Sequence, residues 1–304
     1  VNAGVDSDLG TNVYAEQLVA AVKRGDVAVA TIDKAVRRIL SLKFQMGLFD
    51  DPFVDEKQAV QLVASSEHTG LAREVARQSI VLLKNKDKLL PLKKDIRTLA
   101  VIGPNADNVY NMLGDYTAPQ ADGTVVTVLD GIRQKVSKET RVLYAKGCAV
   151  RDSSRTGFKD AIETARNADA VVMVMGGSSA RDFSSEYEET GAAKVTINQI
   201  SDMESGEGYD RATLHLMGRQ LELLEEISRL GKPVVLVLIK GRPLLMEGAI
   251  QEAEAIVDAW YPGMQGGNAV ADVLFGDYNP AGRLTLSVPR SVGQLPVYYN
   301  TRRK

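Results

Sequence analysis

Two apolar stretches decide the fold of this chain: AVVMVM at Ala170–Met175 and PVVLVLI at Pro233–Ile239. Apolar residues run through both without interruption, a pattern typical of strands that are buried on both faces of a sheet. Helical patterns separate these stretches from neighbouring strand-like runs, and such short alternation predicts parallel pairing of the strands. We therefore predict an α/β fold, an α/β/α sandwich built around a mostly parallel sheet of about six strands.

The remaining elements follow from the same periodicities. Predicted strands are Thr98–Ile102, Arg141–Ala145, Ala170–Met175, Pro233–Ile239, Ala255–Ala259 and Arg283–Val288, with Ile80–Leu83 as a further short strand-like run. Arg283–Val288 alternates more than the others, which predicts a strand at an edge of the sheet. Predicted helices of this region are Leu129–Val136, Gly157–Asn167, Leu214–Leu230, Met246–Gln251 and Gly266–Phe275.

The first 50 residues have a different organisation. Two amphipathic helices are predicted, Val13–Lys23 and Ile32–Met46, and no strand accompanies them. Amphipathic helices must bury an apolar face, so we interpret residues 1–50 as the tail of another domain. Residues 51–80 are interpreted as a linker with a long connecting helix at Gln58–Ser79, residues 81–289 as the sandwich, and residues 290–304 as a C-terminal linker.

Composition and motifs exclude several classes of function. The net charge of −2 does not suggest nucleic acid or an anionic membrane as a partner. Neither a G-x-G-x-x-G after a strand nor a Walker A motif occurs, so a flavodoxin-like nucleotide-binding domain is disfavoured. Cys148 is the single cysteine and is interpreted as a buried thiol, while His68 and His215 lie far apart on predicted helices. We predict no metal and no cofactor.

A long polar loop, Gly176–Thr213, follows the strand Ala170–Met175. Loops of this length inside a compact domain are usually functional or disordered. Glu207 lies between Gly206 and Gly208, which allow its backbone to bring a carboxylate close to a bulky ligand. The residues alone leave two readings open, a catalytic acid or an ordinary loop acid. The acids Glu186, Glu188 and Glu189 are interpreted as a solvated part of the same loop.

Many ordered motifs of the chain resemble glycoside hydrolase family 3, the β-glucosidase and β-xylosidase family. They include IDKAVRRILSLKFQMGLFDDP at 32–52, AREVARQSIVLLKN at 72–85, AVIGPNAD at 100–107, SGEGYDR at 205–211, GKPVVLVLIKGRPL at 231–244 and AWYPGMQGGNAVADVLFGDYNPAGRLTLSVP at 259–289. The resemblance implies a (β/α)8 barrel that precedes the sandwich, with residues 1–50 as its remnant. It also implies an active site between the two domains.

The resemblance further implies a retaining, exo-acting β-glycosidase of carbohydrate catabolism. The barrel would supply an aspartate nucleophile, which no aspartate of this chain matches, and the sandwich would supply a glutamate acid/base. That glutamate is Glu207 by its position in SGEGYDR, with Glu204 in reserve. Tyr209 and Arg211 are candidates for contact with the sugar. Asp210 and Arg211 are alternatively predicted to form a local ion pair or to cap a helix that begins near Leu214.

Several expectations follow for the whole protein. The substrate would be a β-linked oligosaccharide or an aryl glycoside, with the choice among glucoside, xyloside and arabinoside left open. The other partner would be the barrel of the full-length chain, and this fragment alone is predicted to be inactive. Family membership suggests a periplasmic or secreted protein. A non-catalytic carbohydrate-binding or interaction module is the alternative.

Overall fold

A computed structural model of the chain describes residues 1–181 and 202–300, which separate into two units. The first unit comprises residues 1–63 and contains helices α1 (Val13–Arg24), α2 (Val29–Gln45) and α3 (Glu56–Leu62). The carboxylate of Asp55 caps α3 by accepting a hydrogen bond from the Lys57 backbone N–H at 2.9 Å. Within the described ranges, no helix is both long and apolar enough to cross a membrane.

The second unit, from Ala64 onward, is built on one six-stranded sheet. Its strands are β1 (Val81–Asn85), β2 (Thr98–Ile102), β3 (Arg141–Ala145), β4 (Ala170–Gly176), β5 (Val234–Ile239) and β6 (Ala255–Trp260). They lie in the order β1-β6-β5-β4-β2-β3. Every neighbouring pair is parallel except β1 with β6, which is antiparallel. The predicted α/β class and the mostly parallel sheet are confirmed.

Helices cover both faces of this sheet, because each inner strand is apolar on both sides. The helices are α4 (Ser66–Ser79), α5 (Val109–Leu113), α6 (Val128–Lys135), α7 (Phe158–Arg166), α8 (Gln220–Ser228), α9 (Glu247–Glu252) and α10 (Gly266–Leu274). Val172 and Val237 pack into one buried cluster with residues of α4, α6 and α10. Met173 and Leu236 pack into the other with residues of α7, α8 and α9. Alternate residues of each inner strand therefore point to opposite faces of the sheet and pack into two separate cores.

The strand predicted at Arg283–Val288 is wrong, since the structure has no strand there. The edge beside β6 is occupied by β1, which pairs with β6 antiparallel. Leu284 and Val288 instead line a groove of about 730 Å³ together with Leu83 and Ile256. An irregular segment that turns alternate side chains into a groove has the same apolar alternation as a strand. This similarity explains why the sequence predicted a strand at Arg283–Val288.

Two helix boundaries also differ from prediction. The long helix Gln58–Ser79 is divided into α3 and α4, because Ala64 has a positive φ of 55° and the Ser65 side chain caps α4. The helix predicted from Leu214 begins only at Gln220. Gly218 precedes it with a φ of +63°, which is not a helical conformation.

Glycines at the carboxyl ends of β2 and β4 allow neighbouring strands to approach closely. A Cβ at Gly103 would lie 2.1 Å from the Val174 carbonyl oxygen, and one at Gly176 would lie 2.0 Å from the Ile239 carbonyl oxygen. Both residues have positive φ. A side chain at either position would therefore collide with the neighbouring strand, so both turns require glycine.

Candidate active site

A buried network of polar side chains holds the start of the loop that follows β4. The Asn105 amide donates hydrogen bonds to the carbonyl oxygens of Gly177 and Ile239, at 3.1 and 3.3 Å. The Asn111 amide donates to Asn105 Oδ1 at 2.7 Å, and the Ser178 hydroxyl donates to Asn111 Oδ1 at 2.6 Å. Because Asn105, Asn111 and Ser178 are all buried, these bonds strongly restrict the loop.

The returning segment of the loop lies directly against this start. The carbonyl oxygen of Ser178 accepts hydrogen bonds from the backbone N–H groups of Glu204 and Ser205, at 2.9 and 3.3 Å. Asp202 Oδ1 accepts from the Val150 N–H at 3.1 Å. Residues 202–205 are thereby placed at the carboxyl edge of the sheet, although Glu186, Glu188 and Glu189 fall outside the described residues.

Glu204 lies beneath the surface of this loop. Its side chain is 1% exposed and forms an ion pair with Arg211, whose side chain is 4% exposed. Arg211 also donates a hydrogen bond to the His215 carbonyl oxygen. The carboxylate sits so close to Gly177 that a Cβ there would lie 2.0 Å from Glu204 Oε1. This geometry is that of an enclosed ion pair that shapes the loop.

The two predictions for Asp210 and Arg211 are both wrong. The Arg211 guanidinium pairs with Glu204, while Asp210 Oδ1 accepts a hydrogen bond from the Arg211 backbone N–H at 2.8 Å. The nearest following helix begins at Gln220, too far along the chain for either residue to cap it. The candidate sugar contact Tyr209 is half-buried, and its carbonyl oxygen accepts from Arg242 at 3.4 Å.

Glu207 occupies the tip of a tight turn. Gly206 and Gly208 on either side have φ values of +122° and +77°, and Gly206 forms an isolated bridge with Tyr209. Only glycine adopts such φ values readily, so the sequence dictates this turn locally. The Glu207 side chain is 44% exposed, in contrast to that of Glu204. Its carboxylate is therefore open to solvent and to a ligand.

Among the residues that the structure describes, three from outside the SGEGYDR segment contact Glu207. The Tyr116 hydroxyl donates to Glu207 Oε2 at 2.6 Å. Arg181 donates to the Glu207 carbonyl oxygen at 3.0 Å and lies 3.5 Å from Oε2. Asp115 Oδ2 accepts from the Glu207 N–H at 3.4 Å. No motif of the sequence marks Asp115, Tyr116 or Arg181, so their contacts with Glu207 emerge only from the fold.

Asp115 and Arg181 form a well-enclosed ion pair beside Glu207. Arg181 donates to the two Asp115 oxygens at 2.7 and 3.2 Å. The Arg181 side chain is 11% exposed and that of Asp115 is 8% exposed. Burial disfavours the charged guanidinium, but the hydrogen bonds and charge of Asp115 outweigh it and raise the pKa of Arg181. A two-pronged pair of this kind fixes orientation as well as charge.

Comparisons with known proteins agree with this architecture. Residues 80–304 match the model of the glycosyl hydrolase family 3 C-terminal domain. The chain is 41% identical to a β-xylosidase of Formosa agariphila over 99% of this chain and 40% of that protein. It is 38% identical to a periplasmic β-glucosidase of Salmonella typhimurium over 99% of this chain and 39% of that protein. The chain thus spans about two fifths of the length of these relatives.

A solved structure gives the same result in three dimensions. The crystal structure of a β-glucosidase from Listeria innocua in complex with glucose superposes with a TM-score of 0.80 and 30% identity. The superposition covers 98% of this chain and 37% of that protein. With the sheet, the flanking helices and the family match in agreement, this chain belongs to glycoside hydrolase family 3 and contains that family's C-terminal α/β domain.

Proposed function

We propose that this chain supplies Glu207 as the acid/base of a retaining, exo-acting β-glycosidase that hydrolyses O-glycosyl bonds. The observation that carries this proposal is the placement of the Glu207 carboxylate. It is 44% exposed, stands on a turn at the carboxyl edge of the sheet and is held by Tyr116 and Arg181. Ligand chemistry in open α/β sheets gathers at this edge.

In the proposed first step, an aspartate of a barrel domain attacks the anomeric carbon. Glu207 donates its proton to the glycosidic oxygen as the bond from that oxygen to the anomeric carbon breaks, which releases the aglycone as an alcohol. In the second step, the Glu207 carboxylate accepts a proton from water as the water oxygen attacks the anomeric carbon. The aspartate leaves, and the sugar is released with its configuration retained.

The proposal also includes an aspartate nucleophile, a barrel domain that carries it and a β-glycoside substrate. The names of the relatives support a β-xyloside or β-glucoside as substrate, and the structure with glucose supports a sugar ligand for the family. One relative is a periplasmic protein, which supports a periplasmic or secreted location. We expect the 304-residue chain alone to be inactive, because a retaining mechanism needs a second carboxylate as nucleophile.

Replacement of Glu207 in the full-length enzyme tests the assignment. We expect Glu207→Gln to lower kcat/KM by about 10²–10⁴-fold for substrates with poor leaving groups. The loss should be much smaller for a dinitrophenyl glycoside, because its dinitrophenolate leaving group departs without protonation. Sodium azide should restore turnover of that substrate and form a β-glycosyl azide, since azide attacks the glycosyl-enzyme without a base.

Two further variants complete the test. Glu163→Gln, on the exposed side of α7, should leave activity unchanged. Glu204→Gln breaks the enclosed ion pair with Arg211, so we expect lower stability and no rescue by azide. Full activity of Glu207→Gln would contradict the proposal, and a change in sugar binding alone would favour the non-catalytic module.

A further inference from the structure

We propose that Tyr116 is a positioning residue for Glu207, whose hydroxyl anchors one carboxylate oxygen so that the other faces the glycosidic bond. This inference rests on the proposed function of Glu207. Tyr116 lies 91 positions away from Glu207 in the sequence, and within the described ranges its Oη makes the shortest contact to the carboxylate, 2.6 Å to Oε2.

The contacts of Glu207 are divided unequally between its two oxygens. In the described part of the chain, Tyr116 and Arg181 both approach Oε2, at 2.6 and 3.5 Å, and neither hydrogen bond is made to Oε1. An oxygen that accepts a hydrogen bond from a hydroxyl and lies beside a guanidinium is a poor place for a proton. The proton of the acid form therefore belongs on Oε1, the oxygen left for the substrate.

The backbone of Tyr116 is held in a conformation that a tyrosine rarely adopts. Its φ is +59°, although the residue is 81% exposed and gains little from burial. A bulky residue in this region is strained, and such strain persists where the surroundings enforce it. Asp115 Oδ1 accepts from the Tyr116 N–H at 2.8 Å, and Thr117 donates to the Gly114 carbonyl oxygen at 3.0 Å.

One ion pair links this turn to the turn that carries Glu207. Asp115 receives hydrogen bonds from Arg181, from the Tyr116 N–H and from the Glu207 N–H. Arg181 in turn donates to the Glu207 carbonyl oxygen. The two turns are thus fixed to the same enclosed pair, which holds the backbones of Tyr116 and Glu207 close enough for their side chains to meet.

The protonation state of Tyr116 agrees with a donor role. Its hydrogen bond to Glu207 raises the pKa of the Tyr116 hydroxyl, and the nearby negative charges add to the effect. Because an ordinary tyrosine already titrates near pH 10, a raised pKa keeps this hydroxyl protonated throughout the neutral range. Tyr116 can therefore donate in both steps of the reaction.

The contact itself can be measured in the 304-residue chain without any activity. Tyrosine labelled with ¹³C at Cζ gives a signal for each phenol, and Tyr116→Phe identifies the signal of Tyr116. We expect this signal to titrate above the range of an ordinary tyrosine in the native chain and to move down in Glu207→Gln. An unchanged titration in Glu207→Gln would overturn the contact and with it the inference.

The effect on catalysis is tested in the full-length enzyme with a series of aryl glycosides. We expect Tyr116→Phe to lower kcat/KM by roughly tenfold for the poorest leaving group and by less than about twofold for dinitrophenolate. In the Glu207→Gln background the same substitution should cause no further loss, because the carboxylic acid it positions is gone. Tyr299→Phe, equally exposed, is the matched control and should behave as the parent.

Other outcomes distinguish a failure of the positioning role of Tyr116 from a failure of the acid/base role of Glu207. A Tyr116→Phe loss that is the same for every leaving group, or that persists in Glu207→Gln, would indicate a structural or sugar-binding role and refute positioning. If Glu207→Gln itself shows no dependence on the leaving group, the proposed function fails, whatever Tyr116 does.

Discussion

Asp272 is a buried charge whose removal should weaken the second unit strongly. This residue of α10 is fully buried and, in the part of the chain that the structure describes, accepts hydrogen bonds from three cations. Arg73 donates to its two oxygens at 2.8 and 2.7 Å, and Arg77 donates at 2.7 Å, both from α4. Lys135, at the end of α6, completes the set at 2.5 Å. One carboxylate thus joins three helices that cover the same face of the sheet.

The magnitude follows from the charge balance. Burial disfavours the Asp272 anion, but the hydrogen bonds from Arg73, Lys135 and Arg77 outweigh it and lower the pKa from 3.8 to about 2. That shift corresponds to about 2 kcal/mol of stability at neutral pH. Asp272→Asn also removes the carboxylate that the three cations share, although Lys135 retains Asp277 at 2.7 Å and Arg77 retains Glu74 at 3.5 Å. Removal of one member of a buried pair costs about 3–5 kcal/mol. Because these cations are partly exposed, we expect a loss of about 3 kcal/mol.

The pH dependence has a defined sign. A carboxyl group whose pKa is lower in the folded state stabilises above its unfolded pKa, near 3.8, and loses that contribution as the pH falls toward 2. We expect the difference between parent and Asp272→Asn to shrink by about 1 kcal/mol between pH 7 and pH 3.

Urea unfolding followed by tryptophan fluorescence is the appropriate assay. Trp260 is the single tryptophan and ends β6, so its fluorescence reports on the second unit. Asp130→Asn on α6 is the control, since its contact with Arg133 is exposed and 3.9 Å long, and we expect a change of at most about 0.5 kcal/mol. A loss below about 1 kcal/mol for Asp272→Asn, or one independent of pH, would refute this reasoning.

The remaining predictions concern backbone space and the single thiol. Gly176→Ala should destabilise the second unit by more than about 3 kcal/mol, because its Cβ would lie 2.0 Å from the Ile239 carbonyl oxygen. Gly70→Ala in α4, with no neighbour within 4 Å, should instead stabilise it by about 0.5–1 kcal/mol in the same urea assay. Burial raises the pKa of Cys148 to about 12, so at pH 8 iodoacetamide should alkylate the native chain at least about 100-fold more slowly than the urea-unfolded chain. Equal rates would contradict the buried position.

The Glu207 turn and the inner strands were predictable because their causes are local. Continuous apolar runs such as Val234–Ile239 can be satisfied only by burial on both faces, and this single requirement predicts the central strands. Glycines on both sides of Glu207 likewise prescribe its turn, whatever surrounds it. Alternation was a poorer guide at the edge of the sheet, since Leu284 and Val288 alternate as a strand would but line a groove, and β1 takes the edge position beside β6.

The different exposure of Glu204 and Glu207, by contrast, follows only from the tertiary structure. Both are acids of one short segment, but Arg211 and Gly177 enclose Glu204 while Glu207 remains exposed. The contacts that orient Glu207 come from Tyr116 and Arg181, which are 91 and 26 residues away. The amino-acid sequence by itself determined the sheet and the turn, because periodicity and glycine act over a few residues. Folding alone determined which carboxylate is open and what holds it, because those contacts join residues that no local pattern connects.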